Sequence, residues 1–346
     1  MPNVPEVTQP DSRTRWQTAS RVLFWMTAVS ALLAAGLSCI ASPDLLAALT
    51  LIPAWLWLLP GLMSVVWAMR WKLRRTALLL GGLWTLFAFG WVEEFTSVSR
   101  SIARAITVSA PTDRRVRVVS LNCANTARCV EDLVRVQPDI VLLQESPGID
   151  GLQRMTQQLF GDAGHFLSGG DTAILARGTI EGRFVDLAGH FVVGTITLPG
   201  EEPIQCVSLR LTPPVARLDF WTTGFWLEHR EMRNLHRREL QEVVQEIRRT
   251  DATSQWVVGG DFNTTPHDRA LSELRPMMAD SFSQSGTGLG GTGTNDWPLF
   301  RVDQVWVNSH CETERVCAVK SIHSDHRLVV CDLQGEDAVD SRAGDR

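Results

Sequence analysis

Seven polar residues lie beside short apolar stretches and together have the side-chain types that hydrolyse phosphate esters. A single Asp or Asn after a strand is usually only a turn former. As a set, however, carboxylates bind a hard cation such as Mg²⁺, amides hold a water or a phosphoryl oxygen, and an imidazole stabilises developing charge. The sequence therefore predicts metal-assisted chemistry on a phosphate ester. The residues are Asn122, Glu145, Asp261, Asn263, Asp303, Asp325 and His326.

Strands must position these residues, because each one adjoins a stretch with the apolar pattern of a strand. Alternating or compact apolar runs are typical of β-structure, whereas apolar residues spaced along 228–249 predict one long helix. Many strands and few long helices favour a layered α/β sandwich over a regular parallel array. The predicted strands are Arg115–Leu121, Asp139–Leu143, Thr172–Ala176, His190–Leu198, Ile204–Leu211, Trp256–Gly259, Val302–Val307 and Arg327–Cys331.

The order of five motifs resembles the endonuclease/exonuclease/phosphatase superfamily over nearly all of 114–333. The motifs are SLNCAN (120–125), LLQES (142–146), GGDFNTTP (259–266), RVDQVWV (301–307) and SDHRLVV (324–330). GDFN followed at a distance by SDH is the most specific pair. The resemblance implies a four-layer α/β sandwich, in which two central mixed sheets are flanked by helices and the active site lies at one sheet edge.

The resemblance also implies which residues hold a metal ion. Glu145 matches the family's glutamate that binds the cation, and Asp325 matches a second carboxylate on the metal side. The expected cofactor is Mg²⁺, with Mn²⁺ as the alternative.

Five further residues match the family's catalytic groups. Asp261 resembles the aspartate that orients or deprotonates the attacking water, and Asn122 and Asn263 resemble the amides that hold this water and the phosphoryl oxygens. His326 resembles the imidazole that contacts the phosphate. Asp303 would fix the tautomer and charge of that imidazole.

Three positions depart from the family pattern. Many relatives have a His–Leu pair where this chain has Arg210 within CVSLRLTPP. Arginine can clamp a phosphate oxygen but cannot shuttle a proton near neutral pH, so we predict that Arg210 binds substrate. Ala124 replaces an acidic residue of the abasic-site endonucleases, and Gln304 replaces a common histidine after Asp303. These changes leave the substrate open.

The first 110 residues contain three apolar runs, Val22–Ile40, Leu45–Met69 and Ala77–Val92. A membrane-spanning helix needs about 20 mostly apolar residues, so we predict three transmembrane helices, the third of them short. A cleaved signal peptide is the alternative for the first run. The predicted organisation is a cytoplasmic segment (1–20), a three-helix anchor (21–92), a juxtamembrane linker (93–113), the catalytic domain (114–333) and a disordered tail (334–346).

Basic residues predict the orientation of this anchor. They precede the first run and crowd the connection between the second and third, whereas Glu93 and Glu94 follow the third. By the positive-inside rule the N-terminus is cytoplasmic, and three crossings place the catalytic domain on the extracytoplasmic side of the cell membrane.

Six of the seven cysteines lie in this exported part, where an oxidising compartment would allow disulfides. Equal spacings of six residues suggest Cys123–Cys129 and Cys311–Cys317 as local bridges, although connectivity cannot be read from spacing and buried free thiols are the alternative.

The net charge bears on the choice of substrate. Residues 1–110 have a formal charge of +4 and the remainder −9, so the exported part lacks the basic surface of a non-specific nucleic-acid binder. A membrane-anchored phosphohydrolase acting on a phospholipid or lipid-linked phosphate is favoured, with the bilayer as its partner. The alternatives are an extracytoplasmic nuclease and a degenerate, non-catalytic domain that binds phosphate ligands.

Overall fold

A computed structural model describes residues 12–106, 115–186, 188–214, 217, 219–250 and 253–335. The predicted cytoplasmic segment up to 11, the linker from 107 to 113 and the predicted tail from 336 lie outside the described residues. The last strand runs to Gln334, so the folded domain includes one residue that we assigned to the tail.

Among the described residues after 114, the structure has twelve strands and four α-helices. The strands are β1 (Arg115–Asn122), β2 (Ile140–Gln144), β3 (Gly164–Ser168), β4 (Thr172–Arg177), β5 (Thr179–Val185), β6 (Phe191–Thr197), β7 (Ile204–Arg210), β8 (Gln255–Asp261), β9 (Ala279–Asp280), β10 (Asp303–Val307), β11 (Thr313–Val319) and β12 (Leu328–Gln334). Four α-helices, α1 to α4, precede them. The later helices are α5 (Val130–Val136), α6 (Ile149–Phe160), α7 (Thr223–Arg248) and α8 (Ser281–Ser285).

The strands form two six-stranded mixed sheets, which confirms the predicted α/β sandwich. One sheet has the order β11-β12-β1-β2-β4-β3 and the other β5-β6-β7-β8-β10-β9. β1 is parallel to β2, and β7 is parallel to β8. Polar residues after these parallel pairs therefore emerge at the same edge of each sheet.

Three apolar layers hold the sandwich together. One lies between the two sheets and includes Leu142 and Val257. A second packs α7 on the outer face of one sheet, and a third packs α5 and α6 on the other. β1 and β2 are buried on both faces, because Val118 faces the layer between the sheets and Val119 faces the helices. This is why their sequences are almost continuously apolar.

Of the three predicted transmembrane helices, the first apolar run forms a candidate span by itself, whereas the other two runs are bent. Among the described residues one helix, Ser20–Ile40, is long and apolar enough to cross a membrane. Asp44–Leu51 with Ala54–Arg70, and Arg74–Trp91 with Glu93–Arg104, reach that criterion only as pairs, and these pairs are bent by 88° and 73°. The first bend has a local cause, because a residue before proline is restricted to extended backbone and Ile52 precedes Pro53 with φ −84° and ψ 115°.

The N-terminal part contains the helices α1 (Ser12–Gly36), α2 (Leu58–Arg70), α3 (Arg74–Trp91) and α4 (Glu93–Ile106). A π-helical turn (Leu37–Ala41) follows α1, and two 3₁₀ segments (Asp44–Leu51 and Ala54–Trp57) precede α2. We call Asp44–Leu51 the docking segment, because it packs against α7 of the catalytic domain.

A buried arginine joins the docking segment to α7. The Arg233 side chain is 1% exposed. It donates to the carbonyl of Ser42 at 2.8 Å and to Asp268 Oδ2 at 3.0 Å, and it lies 3.4 Å from Asp44 Oδ1. Thr50 in the docking segment donates to the same Asp268 oxygen at 3.0 Å. Asp268 lies seven residues after Asp261, so the N-terminal part contacts the loop that leaves the predicted active site.

The predicted linker is largely a helix that also packs on this domain. Arg301 pairs with Glu93 at the start of α4, at 2.7 Å, and with Asp280. Arg100 donates to the carbonyl of Gly286, and Ser97 donates to that of Gly288. Residues 93–106 are therefore part of the folded body.

Both predicted disulfides are absent, and all seven cysteines, each of which lies among the described residues, are free thiols. Cys311 faces the layer between the sheets, whereas Cys317 packs in the layer of α5 and α6 on the other side of β11. The Cys129 thiol donates to the carbonyl of Cys123 at 3.5 Å.

We expect Arg233→Met to lower the free energy of unfolding by about 3–5 kcal/mol, because it leaves the buried carboxylate of Asp268 without its charge partner. Thermal and denaturant unfolding of the full chain in detergent would measure this. Arg230→Met, an exposed change on the same helix, is the matched control. An equal, small effect of both substitutions would contradict the role of the buried pair.

Candidate active site

Five predicted site residues meet where the two sheets come together. Asn122 ends β1, Glu145 follows β2, Arg210 ends β7 and Asp261 ends β8. Asp303 opens β10 directly opposite Asp261, because β10 pairs with β8 in antiparallel register. The strand ends therefore bring together side chains that are up to 181 residues apart in sequence.

Two glycines before Asp261 allow the close packing of β8. A Cβ on Gly260 would lie 1.9 Å from the carbonyl oxygen of Leu209 in β7. A Cβ on Gly259 would lie 2.6 Å from Leu142 in the opposite sheet. The GGD sequence thus holds Asp261 at the contact between sheets, where larger residues would force the strands apart.

Asp261, Asp303 and His326 form the centre of the site. The Nδ1 atom of His326 lies 2.8 Å from Asp303 Oδ2, and one ligand atom from each of the three residues lies within 4.8 Å of the others. Asp303 is fully buried, and its Oδ1 has no hydrogen-bond partner among the described residues. An imidazole oriented by a buried carboxylate beside a second carboxylate is suited to acid–base chemistry.

Asn122 connects this centre to Glu145. Its Nδ2 donates to Glu145 Oε1 at 3.1 Å and to Asp261 Oδ2 at 3.2 Å. Its Oδ1 accepts from the backbone N–H of Ala124 at 3.0 Å, which fixes the orientation of the amide. The other Glu145 oxygen, Oε2, accepts from Asn125 at 3.3 Å.

Asn263 and Asp325 lie beside this set and not within it. The Asn263 side chain donates to the carbonyl of Leu211 at 2.8 Å, while its backbone N–H donates to Asp261 Oδ1 at 3.0 Å. Asn263 therefore supports the Asp261 carboxylate through its main chain. Asp325 is exposed, and its charge acts on His326 from outside the central group.

Burial and mutual charge shift the pKa values of the two central titrating groups. Burial, together with the charge of Asp303, raises the pKa of Asp261 to about 7, against the opposing effect of His326. Burial alone would lower the pKa of His326. The hydrogen bond and charge of Asp303, with Asp261 and Asp325, outweigh it and raise that pKa to about 9. At neutral pH the imidazole is therefore charged and Asp261 is close to its midpoint.

The site can accommodate a divalent cation. The unpaired Asp303 Oδ1 is a buried acceptor, and carboxylate oxygens are the ligands that Mg²⁺ prefers. Asp261 and Asp303 lie close enough to share one ion, whereas His326 could join them only without its proton. Glu145 is linked to this group through the hydrogen bonds of Asn122.

Four residues around the site have left-handed backbone, which is unusual for residues other than glycine. They are Ala124 (φ +47°), Asn125 (φ +57°), Glu145 (φ +42°) and Asn263 (φ +48°). Such conformations cost about 1–3 kcal/mol each and persist only where the surroundings hold them.

Three further residues, which were not predicted from the sequence, hold the site through hydrogen bonds. Asp171 binds Arg210 at 2.9 Å. Asn125 binds Glu145, and Ser324 accepts from the backbone of His326 and donates to the carbonyl of Asn122 at 2.6 Å. Asn125 and Ser324 stand inside quoted motifs, but Asp171 follows two glycines and has only the pattern of a turn residue.

We expect the metal-free protein to lose stability as pH rises from 7.5 to 9. Native His326 keeps its proton up to about pH 9, whereas the unfolded chain loses it near pH 6.5, so the native state binds more protons in this range. The free energy of unfolding should fall by roughly 2 kcal/mol. His326→Gln should reduce this dependence in thermal unfolding with EDTA. The same slope in both proteins would contradict the assignment.

Solved structures share this fold with the chain. An endonuclease/exonuclease/phosphatase of Beutenbergia cavernae has a TM-score of 0.51 and 19% identity, with coverage of 64% of this chain and 72% of the other. A Bacteroides vulgatus protein of that description has a TM-score of 0.51, 15% identity and coverage of 65% and 100%. A mannosyl-6-phosphatase of Bacteroides thetaiotaomicron has a TM-score of 0.50, 16% identity and coverage of 63% and 99%.

Among curated proteins, none matches the chain by sequence. The family profile for the Endonuclease/Exonuclease/phosphatase family, however, matches residues 119–326, which span every residue of the site described above. Members of this superfamily are hydrolases that act on phosphoester bonds. On the combined grounds of this match and the two-sheet fold, the chain belongs to the endonuclease/exonuclease/phosphatase family.

Proposed function

We propose that this protein is a membrane-anchored, divalent-metal-dependent phosphohydrolase that cleaves a phospholipid or lipid-linked phosphate ester. The observation that carries the proposal is the group of Asp261, Asp303 and His326, joined through Asn122 to Glu145. Mg²⁺ is the favoured ion, because the available ligands are mainly carboxylates.

Asp261 and His326, the two residues with raised pKa values, would perform different parts of the reaction. Asp261, with a pKa of about 7, can take a proton from an attacking water near neutral pH. Asn122 and the backbone N–H of Asn263 hold its carboxylate in place. His326, kept protonated by Asp303, can place a positive charge and a donor against a phosphoryl oxygen as negative charge develops there.

A bound divalent cation would neutralise the phosphoryl oxygens and polarise the phosphorus for attack. Glu145 and the unpaired Oδ1 of Asp303 would supply oxygens to hold it, which leaves Asp261 to act as the base. Asp325, which we had assigned to the metal side, contributes its charge from the rim of the site.

The N-terminal helices support a location at a membrane. Ser20–Ile40 is apolar enough to span a bilayer, and α1, α2 and α3 each present exposed large apolar side chains, among them Leu33 (61%), Leu62 (63%) and Leu78 (77%). Exposed apolar surface on this scale requires a non-aqueous partner. Basic residues in the first turns of α1 and around the connection of α2 to α3 favour a cytoplasmic N-terminus and an extracytoplasmic catalytic domain.

We expect the full chain in proteoliposomes to release phosphate or a phosphorylated head group from lipid with Mg²⁺, and to lose this activity with EDTA. Plasmid nicking under the same conditions is the competing readout. Nicking that Glu145→Ala abolishes, in the absence of lipid hydrolysis, would replace the lipid proposal with the nuclease. Protein that is inert on every activated phosphodiester and binds no metal would favour a non-catalytic domain.

We expect Asp261→Asn to reduce kcat by at least about 100-fold, because an amide cannot accept the proton of the attacking water. Lipid hydrolysis at saturating substrate measures this effect. Asp150→Asn, an exposed change outside the site, is the control and should retain full activity. Retention of activity by Asp261→Asn would exclude Asp261 as the base.

A further inference from the structure

Arg210 forms a salt bridge with Glu145, the residue that is expected to bind the metal ion. Its Nη2 lies 2.6 Å from Glu145 Oε1, and its Nη1 lies 2.9 Å from Asp171 Oδ2. The side chain is 23% exposed, and its Nε is buried with no hydrogen-bond partner among the described residues. The guanidinium thus bridges two carboxylates at the end of β7.

One oxygen of Glu145, Oε1, has no lone pair left for a further cation. Oε1 accepts from both Arg210 and Asn122, and Oε2 accepts from Asn125. Asn125 and Asn122 are neutral donors, so the guanidinium is the one positive charge among these three partners. A second cation on Oε1 would lie next to this charge and be repelled by it.

The arginine cannot resolve this conflict by losing its proton. A guanidinium group stays protonated in proteins. A neutral histidine at this position could stay beside a metal ion, whereas an arginine remains charged. Glu145 can therefore offer Oε1 to a divalent cation only if the guanidinium moves away.

Asp171 gives the guanidinium a place to remain when it leaves Glu145. Its carboxylate is 38% exposed and is held by a separate nitrogen, Nη1. With that contact kept, Nη2 is released and becomes available to an oxygen of a phosphate group, which arginine binds well. Arg210 also lies opposite Asp261 in the register of β7 and β8, so the released donor stays at the site.

We propose that Arg210 is a positioning residue that couples metal binding to phosphate binding, a step that rests on the proposed function. Without phosphate, Arg210 holds Glu145 and weakens its hold on the metal ion. With phosphate present, Arg210 transfers one nitrogen to the ligand and Glu145 is freed. Asp171 serves as the fixed partner throughout this exchange.

Calorimetric titration of Mg²⁺ into the EDTA-stripped full chain, with and without inorganic phosphate, tests this coupling. We expect wild-type protein to bind Mg²⁺ several-fold more tightly with phosphate. Arg210→Gln and Arg210→Ala should bind Mg²⁺ about tenfold more tightly than wild type without phosphate and gain little from it. Asp171→Asn should change affinity in the opposite direction, because displaced Arg210 then lacks its second carboxylate.

Arg177→Ala is the matched control, since Arg177 forms a more exposed pair with Asp139 at 2.6 Å away from these groups. Thermal unfolding establishes that each variant is folded. Equal Mg²⁺ affinity in wild type and both Arg210 variants would overturn the coupling and leave the proposed hydrolase intact. Failure of every folded variant to bind Mg²⁺ would instead overturn the metal-dependent function.

Discussion

The structure of the site depends on one constraint, which is that two carboxylates, Asp261 and Asp303, are buried close together where the two sheets meet. The register of β8 and β10 sets Asp261 opposite Asp303, and like charges at such a place disfavour ionisation of both. The positive charge of His326 balances Asp303. The side chain of Asn122 and the backbone N–H of Asn263 donate hydrogen bonds to Asp261. The raised pKa values of Asp261 and His326 both follow from this single arrangement.

The sequence could predict the location of the site, because strands place their ends by rules that need no tertiary detail. Asn122, Asp261 and Asp303 each adjoin a strand whose apolar pattern is clear, and all three meet in the structure. The residues that bind and orient these side chains were harder to predict from the sequence. Asp171 precedes β4 in a glycine turn, and its link to Arg210 depends on a contact between the two sheets, which no local pattern encodes.

The N-terminal part shows a different limit of sequence reasoning. Apolar length measures whether a segment can enter a bilayer but not the direction in which it runs. The run containing Pro53 has the composition of one span, yet it turns by 88°. Pro53 accounts for the turn locally, but the direction of the docking segment also depends on distant residues, since Arg233 and Asp268 give it buried polar partners. The prediction of a Cys311–Cys317 disulfide from the cysteine spacing was also wrong, because the two residues face opposite sides of a sheet.

The hydrogen bond between Arg233 and the carbonyl of Ser42 fixes the position of the first helix relative to the candidate active site. Ser42 directly follows the π-helical turn after α1 and is bonded to α7, so the first helix and the active site are parts of one body without a slack tether. With α1 in a bilayer, the catalytic residues stand at a set height and cannot swing out to search the surroundings. The lipid substrate proposed above would then reach the site by lateral diffusion, and it would be cleaved only where its scissile bond projects to that height.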